Sequence, residues 1–143
     1  MKVYTMKVYP AGRGRQAYRT MAVSEDVSLD GFCRLIISSF EFDGAHMYAF
    51  CFGPDIYGPG VIRYECMPEK GELSTKERIS RLGLRKGMKF FLHYDFGDDW
   101  KFVISVQKIE DTDGKKIAKI LSAKGRVEQY PDWDEDEDWD DEE

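Results

Sequence analysis

The chain has 143 residues, 42% hydrophobic and 14% aromatic, which suits one domain with a real core. Three cysteines, Cys33, Cys51 and Cys66, are odd in number, far apart and without a C-x-x-C pair, which argues against a disulfide framework or a thiolate zinc site and for a reducing compartment. The net charge of −6 hides a split: ten of the 27 acids lie in Asp132–Glu143, so 17 acids face 21 Lys and Arg in the rest, a body of about +4.

The N-terminus begins directly in a strand pattern, with Tyr4, Met6 and Val8 on one face, and has no signal-peptide apolar region. No apolar run approaches the roughly 18 residues of a membrane span, so a cytoplasmic protein without a membrane partner is expected. Residues 10–14 read as a loop and 16–23 as a second strand, which makes 2–23 a hairpin. Ser28 then stands as a helix N-cap. Leu29, Phe32, Cys33, Ile36, Ile37 and Phe40 follow at helical spacing and form one apolar stripe of about three turns. Residues 46–53 predict a strand, 53–60 a Gly/Pro-punctuated loop and 61–67 a short strand. Ser74-Thr75-Lys76-Glu77 has capping-box spacing and predicts a second, short helix running to about Leu82.

Residues 88–109 carry the strongest signal. Phe90, Leu92, Tyr94 and Phe96 alternate with Lys89, His93 and Asp95, and Trp100, Phe102, Ile104 and Val106 alternate with polar residues on the second arm. Gly97-Asp98-Asp99 supplies the turn, glycine being free to take positive φ. A further turn at 111–114 and a strand at 117–123 follow. The expected fold is therefore α+β: a mainly antiparallel sheet of hairpins with one long amphipathic helix across one face. Residues 1–131 form the expected domain. Residues 132–143, charged and without apolar periodicity, form an acidic tail expected to be disordered.

Several segments together resemble one family, the plasmid pRiA4b ORF-3-like proteins, also called insertion-element passenger proteins. The most specific is Tyr94-Asp95-Phe96-Gly97-Asp98-Asp99-Trp100 with the strand after it. Asp43-x-x-His46-x-Tyr48-x-Phe50, Leu29 through Ile36, the Tyr18-Arg19 pair and Gln129-Tyr130-Pro131-Asp132-Trp133 are similar too, so the resemblance covers nearly the whole chain. Two features depart from the pattern. Cys33 stands where many members have His, and the Pro-Pro-Glu-Asp and Gly-Gly ending of longer members is missing. The resemblance implies no established activity; "passenger" describes a mobile-element context, not chemistry.

Candidate functional residues fall into two groups. Asp95, Asp98 and Asp99 place three carboxylates within five residues at a turn, a composition that suits a hard divalent cation, with His46 or His93 as a further ligand. The plain alternative is that these are turn residues capping backbone amides. His93 sits two residues from Asp95 on one strand face, which permits a contact. Arg19 either pairs with a carboxylate of the turn or covers an aromatic neighbour with its stem, and Trp100 joins the same candidate cluster. No P-loop, dinucleotide fingerprint or nucleophile elbow is present.

The second group is basic. Lys76, Arg78, Arg81, Arg85, Lys86 and Lys89 put six cations into fourteen residues opposed only by Glu77, and Lys115, Lys116, Lys119, Lys124 and Arg126 form another cluster. On one face these would bind phosphate, with Tyr57, Tyr64 and Trp100 available for stacking. Trp133 and Trp139 among ten acids would let the tail mimic a phosphate strand and mask such a face. The first expectation is thus a non-enzymatic binding module for a protein or nucleic-acid partner. The alternative is a metal-dependent hydrolase of phosphate-containing substrates working through the Asp-rich turn. No cofactor beyond a divalent cation is suggested.

Overall fold

In the computed structural model, which describes residues 1–130, the N-terminal alternation forms strands β1 (Lys2–Pro10) and β2 (Tyr18–Ser24). They are followed by helix α1 (Leu29–Ser39) and strands β3 (Tyr48–Phe52), β4 (Ile62–Glu65) and β5 (Leu73–Ser74). A 3-10 turn at Ile79–Arg81 leads to β6 (Lys89–Tyr94), β7 (Trp100–Asp111) and β8 (Ala118–Lys124). The eight strands make one sheet in the order β5-β4-β3-β6-β7-β1-β2-β8, so the β6–β7 hairpin lies at its centre. The acidic segment expected to be disordered, 132–143, lies outside the described residues.

The expected α+β fold is not adopted. The architecture is mostly sheet, and the sheet is mixed, because β4 and β5 run parallel through Tyr64↔Leu73 and Glu65↔Ser74. The single α-helix among the described residues is short, eleven residues rather than a long element. It ends where Ser38 and Ser39 turn their hydroxyls back onto the Leu35 and Ile36 carbonyls and Glu41 takes a φ of +61°.

The second helix expected at 74–82 is also absent apart from the 3-10 turn. Its capping-box residues serve α1 instead. The Leu29 and Asp30 amides donate to the Glu77 and Thr75 carbonyls at 2.8 Å each, and Thr75 Oγ1 donates to Asp30 Oδ1 at 2.5 Å. Ser28 Oγ accepts from the Gly31 amide at 3.1 Å, as its N-cap position predicts.

The core lies between α1 and one face of the sheet. Leu29, Phe32, Cys33, Ile36 and Ile37 are the buried stripe of the helix. Phe32 stacks on Phe50 with centroids 5.7 Å apart, above fully buried Met6, Met21, Phe90 and Phe102. On the opposite face, loop residues Ile56, Val61 and Phe96 cover only the β3–β6 side, around Ala49, Cys51 and Phe91. Gly125 carries the chain out of β8 at φ +67°, and a Cβ there would stand 1.9 Å from the Gln16 carbonyl oxygen. That position needs glycine for both reasons. Among the described residues no helix is long and apolar enough to cross a membrane.

Candidate functional site

The central turn is built by aspartate rather than by glycine. Asp95 and Asp99 take φ of +63° and +53°, while Gly97 does not occupy the left-handed region. Asp95 closes the turn with its backbone: its carbonyl accepts from the Asp98 and Asp99 amides at 3.0 and 2.6 Å. Its Oδ1 accepts from the Gly97 and Asp98 amides at 3.2 and 3.3 Å. Short aspartate side chains tolerate this conformation because they satisfy backbone donors locally.

The positive φ at Asp95 breaks the strand alternation, and this decides where each carboxylate points. Asp95 does not meet His93. Its Oδ2 lies 3.4 Å from His46 Nδ1 on the helix side of the sheet, where His46 packs edge-on to Tyr94. His46 Nε2 lies 2.6 Å from Tyr130 Oη and 3.7 Å from Asp43 Oδ2. Burial and the carboxylates of Asp43, Asp95 and Asp98 hold the Tyr130 phenol above its ordinary range. Gln129 anchors this C-terminal segment: its Oε1 accepts from the Asp43 amide at 2.5 Å.

His93 sits on the other side of the sheet, fully buried between Tyr57 and Phe96. Its Nε2 lies 2.6 Å from Asp99 Oδ1, and its Nδ1 lies 3.3 Å from Arg63 Nη1. A guanidinium only donates, so Nδ1 must be the acceptor and Nε2–H the donor to Asp99. The imidazole is therefore neutral. Burial lowers its pKa, the Asp99 hydrogen bond opposes that, and the Arg63 charge adds to the lowering. Arg63 in turn donates to Glu65 Oε2 at 2.7 Å and to the Ile56 carbonyl at 2.8 Å.

The turn thus splits its carboxylates between two histidines on opposite faces. Asp98 points to neither and lines a shallow cleft with Arg13 and Lys101. Among the described residues no group of three or more His, Cys, Asp or Glu side chains is placed to hold a metal ion. Both nitrogens of each histidine are engaged, so neither is presented to a substrate as a free base.

Arg19 is buried and serves the backbone. Its Nε donates to the Ser39 carbonyl at 2.8 Å and its Nη1 to the Tyr18 and Lys124 carbonyls at 2.9 Å, with the guanidinium 4.3 Å from the Phe40 ring centroid. It ties the end of α1 to β2 and β8. Burial lowers its pKa slightly against the opposing charge of Glu41. Trp100 stacks on Phe102 and meets Phe42 edge-on, at the rim of the core.

The six basic residues Lys76, Arg78, Arg81, Arg85, Lys86 and Lys89 are all exposed. The ion pairs formed among the described residues involve other cations: Arg63, Lys101, Lys108, Arg126 and the two histidines. Glu77, their one acidic neighbour, accepts from the Arg78 backbone amide. Tyr57 is exposed with its hydroxyl 3.3 Å from Asp99, whereas Tyr64 packs against Phe52.

A family model described as plasmid pRiA4b ORF-3-like protein matches residues 2–134. The chain belongs to the plasmid pRiA4b ORF-3-like family. A crystal structure of a protein of unknown function from Methanosarcina mazei Go1 is similar to this family member at a TM-score of 0.69 and 21% identity, over 85% of this chain and 68% of that one. At that identity the likeness is one of fold. No curated protein matches the chain.

Arg63 is the residue of this family member's turn region that sequence reasoning missed. Its position in a weakly alternating strand gave no sign that it would meet His93. The only available signal was a lone arginine between Ile62 and Tyr64, in a strand expected at 61–67 and observed at Ile62–Glu65.

Proposed function

We propose that this family member is a non-enzymatic binding module that recognises a polyanion, with nucleic acid as the partner and its own acidic tail as an intramolecular competitor. One observation carries the reading: six exposed cations between residues 76 and 89 make no ion pair with a carboxylate among the described residues. Uncompensated cations on a surface raise the local concentration of phosphate and bind it with release of counterions. The tail, Asp132–Glu143, follows a body of about +4 and carries ten acids with two tryptophans, so it offers the same groups as a nucleic-acid strand. The histidine–aspartate pairs support no hydrolytic role, because their carboxylates diverge and their nitrogens are occupied. The free thiols of Cys33, Cys51 and Cys66 suit a reducing cytoplasm, and residues 1–131 act as one domain in this reading.

The test is binding of a fluorescent oligonucleotide to the full chain and to a chain ending at Pro131, at two salt concentrations. With about four phosphate contacts, raising salt from about 50 to about 200 mM should weaken single-strand binding about fiftyfold. Removing the tail should tighten binding severalfold, and Arg78→Glu with Arg81→Glu should weaken it. Absence of binding at low salt in both chains would overturn the reading.

A further inference from the structure

The same strands that bury one face against α1 leave Lys7, Tyr9, Tyr18, Thr20, Ser122 and Lys124 half-exposed or exposed on the other face, where Val3, Ala22 and Ser105 are buried. Its residues can be read across the strands from their pairing. Lys89 lies opposite Ser105, Ser105 opposite Lys7, Lys7 opposite Thr20 and Thr20 opposite Ser122. One pair further along, Phe91 lies opposite Val103, Val103 opposite Tyr9, and Tyr18 opposite Lys124. Cross-strand neighbours are about 4.8 Å apart, so Lys7 stands about 10 Å from Lys89 and about 12 Å from Lys124, and the outer two lysines are about 20 Å apart across the sheet. Hydroxyls of Thr20 and Ser122 stand between them, and Ser105 is buried.

This face is a cationic and aromatic surface, not a failed core. Lys7 holds its ammonium 4.5 Å from the Tyr18 ring centroid and 5.9 Å from that of Tyr9. Tyr9 is covered on one side by Gly14, whose Cβ position lies 2.9 Å from the ring. Tyr18 is half-exposed. Lys89, Lys119 and Lys124 are exposed, and no carboxylate of the described residues pairs with them or with Lys7. Asp55 is paired with Lys101, and Glu110 with Lys108. Lys89 is also the last cation of the 76–89 group.

Resting on the polyanion reading, we infer that the open sheet face is a platform for single-stranded nucleic acid running across the strands. Phosphates sit on Lys89, Lys7 and Lys124, and a base stacks on Tyr18. A duplex keeps its bases inside and offers only phosphate, whereas an unpaired strand offers both phosphate and base faces to such a surface. The phosphate draws the Lys7 ammonium off the Tyr18 ring and leaves the ring to the base. The surface suits the unpaired strand because its cations are interleaved with an aromatic ring and hydroxyl groups rather than massed alone.

The test compares a twelve-nucleotide oligothymidine with a duplex of equal length, using full and tail-deleted chains. Three sets of variants are measured: Lys7→Glu with Lys124→Glu, Tyr18→Leu, and Arg78→Glu with Arg81→Glu. The expected result is preference for the single strand, a loss of tenfold or more for Lys7→Glu with Lys124→Glu, and a loss of about tenfold for Tyr18→Leu that spares the duplex. If only Arg78→Glu with Arg81→Glu weakens binding, the platform is wrong and the polyanion reading stands. If no chain binds either nucleic acid, both fail. If Lys7→Glu with Lys124→Glu instead relieves inhibition by the tail and leaves oligonucleotide binding intact, the face seats the tail and the platform is wrong. Unchanged melting temperatures of the variants confirm that these exposed positions report binding rather than folding.

Discussion

The two faces of the central sheet share every backbone hydrogen bond and differ only in the side chains that alternate from them. The face under α1 is occupied by Met6, Met21, Phe50, Phe90, Phe102 and Ile104, all fully buried. The face away from it carries Lys7, Thr20, Tyr18, Ser122 and Lys124 at half-exposed or exposed positions. One face therefore supplies the free energy of folding, at about 25 cal/mol per Å² of apolar surface removed from water. On the other face burial is concentrated on the β3–β6 side around Ala49, Cys51 and His93, so the half-exposed and exposed positions from Lys7 to Lys124 contribute little to stability and are free to carry recognition. Residues that matter for binding should then be silent in unfolding experiments, and the reverse should also hold.

The sharpest contrast is between single positions on the two faces. Phe90→Ala should cost about 3–5 kcal/mol in urea unfolding, because Phe90 packs against Phe32, Phe50 and Phe52 and the cavity left cannot collapse fully. Lys7→Ala should stay within about 0.5 kcal/mol of the parent. A comparable loss at both positions would break the division. Next in size is Gly125→Ala, which places a Cβ against the Gln16 carbonyl at positive φ and should cost more than about 1 kcal/mol by the same measurement. Ser28→Ala removes the acceptor for the Gly31 amide and should cost about 1 kcal/mol, with Ser28→Asp retaining most of the stability.

The last effect depends on pH. His93 is held neutral with its pKa below 6.5, the value it regains on unfolding. Between the folded and unfolded pKa values the unfolded chain binds the extra proton, so the stabilisation is complete above pH 6.5 and is lost as pH falls through the depressed value. Unfolding midpoints at about pH 7.5 and about pH 5.5 should differ more for the parent than for His93→Gln, whose amide keeps a donor for Asp99 and an acceptor for Arg63. Equal differences would show that His93 is not the group that titrates.

Much of this was legible in the residues. Every strand of four residues or more was anticipated, and alternation located β1, β6 and β7, because a half-buried strand must separate apolar from polar side chains at period two. The N-cap at Ser28 and the stripe of α1 were legible from side-chain chemistry and spacing. The predominance of sheet and the parallel β4–β5 pair were not, since a two-residue strand such as Leu73–Ser74 has no period to read. The second helix failed because local capping spacing was overridden by tertiary demand: the Thr75 and Glu77 carbonyls satisfy the first amides of α1. A turn was expected at Gly97–Asp99, but it starts earlier, at Asp95, and its carboxylates were mis-aimed. Positive φ at Asp95 reversed the face on which that side chain lies, and nothing in the alternation announces such a break. Arg19 was legible only as an arginine beside an aromatic residue. Its three carbonyl partners come from α1, β2 and β8, which are brought together only by the fold.

The division between the faces is tested most directly by recording amide ¹⁵N–¹H spectra of the tail-deleted chain while a short oligothymidine is added at low salt. The account predicts shifts in β1, β2 and β8 and in residues 76–89, with the amides of Leu29–Ser39 unmoved. Shifts confined to His46 and the 95–99 turn, or none at saturating oligonucleotide, would contradict it.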